Sequence, residues 1–67
     1  MTFSYNKLWK LLIDNNMMKK DLKEKAKINS NTMANMGKGL PVSMEVLGRI
    51  CVVLRCNIGD IVEVIYN

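Results

Sequence analysis

The sequence predicts an all-α domain, a compact bundle of four to five helices with a short β-ribbon available to its two ends. Three observations carry that expectation. Apolar residues recur at i, i+3 and i+4 in two clear stretches, Leu8-Leu11-Leu12 and Leu47-Ile50-Cys51-Leu54. Asn15-Asn16 and Gly37-Lys38-Gly39-Leu40-Pro41 punctuate the chain with residues that stop helices. Between them, residues 18 to 39 read as two short helices joined by a tight turn.

Taken in order, Ser4 or Asn6 can cap a first helix that runs to about Asn15, with Tyr5 one turn ahead of the leucine stripe. A second helix spans about Lys19 to Ala26. Only Leu22 and Ala26 are apolar there, so it hides one narrow edge and leaves Lys19, Lys20, Asp21, Lys23, Glu24 and Lys25 outside. Lys27-Ile28-Asn29 makes the turn, with Ile28 plugging the space between the helices. Asn29 or Ser30 caps a third helix to about Met36, which buries Met33 and Met36 and leaves Ser30, Asn31, Ala34 and Asn35 outward. Ser43 caps the fourth helix, Glu45 suits its dipole, and Arg55 lies at its C-terminal end. Ile58-Gly59-Asp60-Ile61 looks like one further helical turn. Val62 to Tyr66 alternates and is rich in β-branched residues, a strand pattern that Thr2 to Tyr5 could pair with.

Size and charge narrow the function. Sixty-seven residues allow one domain, residues 1–67, with a thin margin of stability. A 49% hydrophobic content argues for a folded core and against disorder. The net charge of +4 is compatible with a polyanionic partner. Cys51 and Cys56, in a chain with no His, supply too few soft ligands for a zinc site, and their bland reading is buried reduced thiols in a cytoplasmic protein. The start of the chain lacks a signal-like apolar run, and no stretch is long enough to span a bilayer. No nucleophile stands beside a base, no glycine loop cradles phosphate and no carboxylates cluster, so no enzyme, cofactor or small-molecule substrate is expected.

The third helix is the informative element. Its outward face carries Ser30, Asn31 and Asn35 and no carboxylate. A rigidly held polar helix of this kind fits the major groove of double-stranded DNA, where Asn can offer a paired acceptor and donor to adenine.

The order of elements resembles the lambda-repressor-like, Cro-type helix-turn-helix family, also called the XRE family. The resemblance rests on the spacing of Leu22, Ala26, Ile28, Met33 and Met36, and on GKGLPVSMEVLGRICVVLRCNIGDI downstream, and it covers Leu8 to Ile61. It implies an operator-binding fold, with the helix-turn-helix motif at about 18–37. It also implies roles: Lys19 touching the DNA backbone, Ser30, Asn31 and Asn35 facing base edges, and Lys38 approaching phosphate. Lys20 beside Lys19 and Thr32 within the recognition helix complete the expected DNA-binding set. Three positions depart from the pattern. Met18 stands where a Thr or Ser cap is usual, Lys27 where Gly is common, and Gly37 where an acidic residue is usual. The recognition helix has no Arg or Lys of its own, so tight reading of guanine is not expected from it.

The resulting expectation is a small transcriptional regulator, a repressor more than an activator, occupying a palindromic operator as a homodimer. Trp9, Val52 and Val53 widen the apolar surface beyond one core, which suggests a dimer interface in the C-terminal half. The competing reading is a protein-interaction module, antitoxin-like or adaptor, built on the same fold. A weaker third is a basic helix for RNA or membrane surfaces.

Overall fold

The computed structural model describes residues 1–66. Its elements follow in the order β1 (Thr2–Ser4), α1 (Asn6–Asp14), α2 (Lys19–Lys25), α3 (Ser30–Gly37), α4 (Met44–Leu54), a 3-10 turn (Ile58–Asp60) and β2 (Glu63–Ile65). The four α-helices are all-α in class, with the ribbon as their only sheet among the described residues.

Each boundary has a local cause. At the start of α1, buried Tyr5 takes the cap position, and Ser4 Oγ accepts the Asn6 amide at 3.3 Å instead of serving as the cap itself. Asn16 stops α1 with φ 55°, the left-handed conformation that Asn tolerates. The N-caps of α3 and α4 are side-chain caps. Asn29 Oδ1 accepts from the Thr32 amide at 2.7 Å, and Ser43 Oγ accepts from the Val46 amide at 3.2 Å. Ser30 is therefore the first helical residue and not the cap. At the C-terminal end of α4, Arg55 turns left-handed at φ 54° and the Cys56 amide returns to the Cys51 carbonyl at 3.1 Å. That closure favours an apolar contact between the two residues it joins, which accounts for cysteines five positions apart.

The core comprises Tyr5, Leu8, Leu12, Leu22, Ala26, Ile28, Met36, Val46, Leu47, Ile50 and Ile61. Two expectations shift. Met33 is half-buried, because three residues before Met36 it falls at the margin of the buried face of α3. In α4 the interior stripe runs through Val46, Leu47 and Ile50, with Cys51 and Leu54 at its edge. Both cysteines are free and half-buried.

The ribbon ties the chain ends together. β1 and β2 run antiparallel with Thr2 opposite Ile65, Phe3 opposite Val64 and Ser4 opposite Glu63. It is also pinned to the loop after α3, where the Phe3 amide bonds the Gly39 carbonyl at 3.4 Å and Tyr5 Oη donates to the Leu40 carbonyl at 2.8 Å. Gly39, at φ 73°, is required there. A Cβ would stand 2.8 Å from the Phe3 carbonyl oxygen. The loop that ends α3 is thus held by the N-terminal strand and the residue that follows it.

Candidate nucleic-acid interface

The candidate interface is built on the α2–α3 turn. Leu22 and Ala26 from α2, Ile28 from the turn and Met36 from α3 are buried together in the core, so the two helices cannot pivot independently. Lys27 passes through the turn at φ 54°, and the Ile28 amide then bonds the Lys23 carbonyl at 2.9 Å. The left-handed residue lets the chain reverse within a few positions. With the side chain of Asn29 capping α3, the exit angle of that helix is fixed.

The expected contact residues divide into three groups. On α3, Ser30 and Asn31 are exposed, while Thr32 and Asn35 are half-buried at its flanks. Among the described residues, neither the Asn31 nor the Asn35 side chain has an intramolecular hydrogen-bond partner, so both amides remain available. Lys38, exposed, is the C-cap residue of α3. On α2 the two neighbouring lysines part company. Lys19 places Nζ 4.3 Å from the centroid of the Trp9 ring on α1, a cation–π contact that steadies its charge. Lys20 instead joins Lys23, Glu24, Lys27 and Ile28 around an open concavity of about 460 Å³. Three ammonium groups against one carboxylate make this hollow electropositive.

One participant was not anticipated. Lys23 Nζ donates a hydrogen bond to Ser30 Oγ, reaching across the turn from α2 to the first residue of α3. In the sequence Lys23 is one of several lysines on a solvated helix face, and only the reversal at Lys27 brings it to Ser30.

The comparisons agree with this geometry. A family described as the Cro/C1-type HTH DNA-binding domain matches residues 7–66. The chain belongs to the Cro/C1-type helix-turn-helix DNA-binding family. Among solved structures, the crystal structure of the transcriptional regulator VanUg (Form II) is similar, with 47% identity and a TM-score of 0.94. The likeness covers 98% of this chain and 88% of that one. A comparison with curated proteins finds no match.

As a Cro/C1-type domain, the chain accommodates its departures from the family pattern in specific ways. Met18 offers no side-chain cap to α2, but its own amide is taken by Asp21 Oδ2 at 2.9 Å, which satisfies one donor at that helix start. Lys27 keeps the left-handed turn without glycine, at a cost of about 1–2 kcal/mol. Gly37 ends α3 with open space where a side chain would stand, so nothing in the packing demands glycine there.

Proposed function

We propose that the chain is a sequence-specific transcriptional repressor that occupies a palindromic operator as a homodimer. Its α3 lies in the major groove and its lysines meet the phosphates. The observation that carries this reading is the face of α3. Ser30 and Asn31 are exposed, the amides of Asn31 and Asn35 are unengaged among the described residues, and the helix has no carboxylate. Asn31 and Asn35 are the adenine readers in this account, with Thr32 and Ser30 as smaller polar contacts. Lys19, Lys20 and Lys38 neutralise backbone phosphate as point charges.

Size supports two copies. The longest dimension of the chain is 32 Å, about one turn of DNA (~34 Å), so one copy covers a single half-site. Exposed apolar side chains on α4 and the ribbon, including Met44 at 68% and Val52 at 78% exposure, suit a second copy. Among the described residues no helix is long and apolar enough to cross a membrane. The reading places the protein in the cytoplasm.

The test is selection of bound fragments from random DNA, followed by binding measurements across salt concentrations. A dimer making about 6–10 phosphate contacts loses roughly three to five decades of affinity between low and moderate salt. Asn31→Ala should weaken the selected site by ~1–3 kcal/mol, barely change binding to random DNA and leave folding intact. Enrichment of no sequence, with capture of a protein partner instead, would replace this reading with the adaptor.

A further inference from the structure

We propose that Lys23 reads DNA together with Ser30, so that the cation missing from the recognition helix is supplied by its neighbour. The inference rests on the groove-binding reading above and deepens it. Lys23 is half-buried, and its ammonium is hydrogen-bonded to the hydroxyl of Ser30, the exposed first residue of α3. By accepting from Lys23, Ser30 Oγ uses one of its two lone pairs and keeps the other beside its own O–H donor. Lys23 keeps two further N–H donors. The ammonium therefore presents only donors, whereas the Ser30 hydroxyl that positions it and the neighbouring Asn31 amide offer both kinds of group. A donor-only ammonium held at the major groove is complementary to the one base that shows two adjacent acceptors there, guanine with O6 and N7. It is mismatched to adenine, whose N6 amine would face another donor, and to cytosine, whose N4 amine does the same.

The pair also explains a cost that would otherwise have no return. A lysine at the α2–α3 junction gives up rotamer freedom to be held there. It does so without a carboxylate partner, since the described ion pairs include only Arg49 with Glu45. Held against Ser30, its charge is preorganised for a ligand in place of being neutralised by the protein.

The experiment is a pair of selections from the same random DNA pool, one with the parental chain and one with Lys23→Met, which keeps the aliphatic stem. Far-ultraviolet circular dichroism and thermal melting first establish that the variant folds. The expected result is a parental motif with one guanine in each half-site that becomes degenerate for the variant, while all other positions persist. Replacing that guanine by 7-deazaguanine should weaken the parental chain about tenfold and leave the variant unchanged. Ser30→Ala should relax the same position. The proposal is overturned if the two motifs are identical. In that case equal weakening on every sequence, with a shallower salt dependence, assigns Lys23 to phosphate, and unchanged binding assigns it to no contact. Failure of the parental chain itself to enrich any sequence would sink the groove-binding reading, a result separate from loss of the guanine alone.

Discussion

The α2–α3 half and the α4 half of this molecule solve the same problem with different means. α4 buries Val46, Leu47 and Ile50 and anchors itself by hydrophobic contact, while α3 buries only Met36 completely. Both helices carry a side-chain cap, Asn29 or Ser43, and a left-handed residue at one end, Lys27 or Arg55, but with so little buried area α3 relies on them and on the Ile28 plug far more. The difference teaches that a helix with little buried face is positioned by its ends more than by its face. A wide apolar face would orient α3 as well, but would leave no polar face to present.

Substitution in the shared core should abolish the distinction altogether. Leu22 and Ile50 are both fully buried, one in each half. Leu22→Ala and Ile50→Ala should each lose ~2–5 kcal/mol, large against the total stability of so small a domain. Chemical denaturation should show one transition for each variant, lowered by comparable amounts. If Leu22→Ala melted α2 and α3 while α4 persisted, the two halves would be separate folding units and the comparison would fail.

The caps separate the halves next. Asn29→Ala and Ser43→Ala each remove one side-chain cap, with an expected loss of ~1 kcal/mol of stability. Only the first should also weaken DNA binding beyond what the stability loss accounts for, because only α3 depends on its cap for direction. Equal binding by the two variants, measured well below their melting temperatures, would show that packing alone orients α3.

How much of this was legible in the sequence follows from the same physics. Periodic apolar spacing revealed α1 and α4, and the strand pattern at the C-terminal end revealed the ribbon, because burial faces repeat along the chain. The buried set Leu22, Ala26, Ile28 and Met36 was legible for the same reason. Met33 was read as fully buried because spacing indicates a face but not where its edge falls. The Lys23–Ser30 contact was hidden for a different reason. It joins residues seven apart across a non-helical reversal, and no helical periodicity predicts which side chains meet across a turn whose left-handed residue is a lysine. The split between Lys19 and Lys20 was likewise hidden, because it depends on where Trp9 of the preceding helix comes to lie.

A gain of stability is predicted where the two halves are alike. Lys27 and Arg55 both adopt φ 54°, one in the α2–α3 turn and one closing α4. Replacing either by glycine relieves about 1–2 kcal/mol of backbone strain, offset by roughly 0.5–1 kcal/mol of extra chain entropy in the unfolded state. A small net rise in melting temperature is expected for both. Lys27→Gly should nonetheless lose some DNA affinity, since Lys27 borders the basic hollow beside Lys20 and Lys23, whereas Arg55→Gly should not. Loss of stability in Lys27→Gly would mean that the lysine side chain stabilises the turn more than its strain opposes it.

The smallest expected effect belongs to the α4 half alone. The Cys56 thiol is pushed up to about 11, first by burial, then by the charge and hydrogen bond of Cys51 and the charge of Asp60. The folded state thus holds the thiol proton more tightly than the unfolded chain does. The associated stabilisation is fully present below about 9 and disappears as the pH climbs through about 11. Melting temperatures followed across that window should fall less steeply in Cys56→Ala than in the parental chain. Tyr5, whose hydroxyl burial also raises above its ordinary value, contributes a decline in the same direction to both proteins and cancels in the difference. A change confined to α2 and α3, such as Asn29→Ala, should lower the whole curve without altering its slope. Identical slopes for Cys56→Ala and the parental chain would show that the thiol is solvated in both states and that the C-terminal closure of α4 is looser than its geometry indicates.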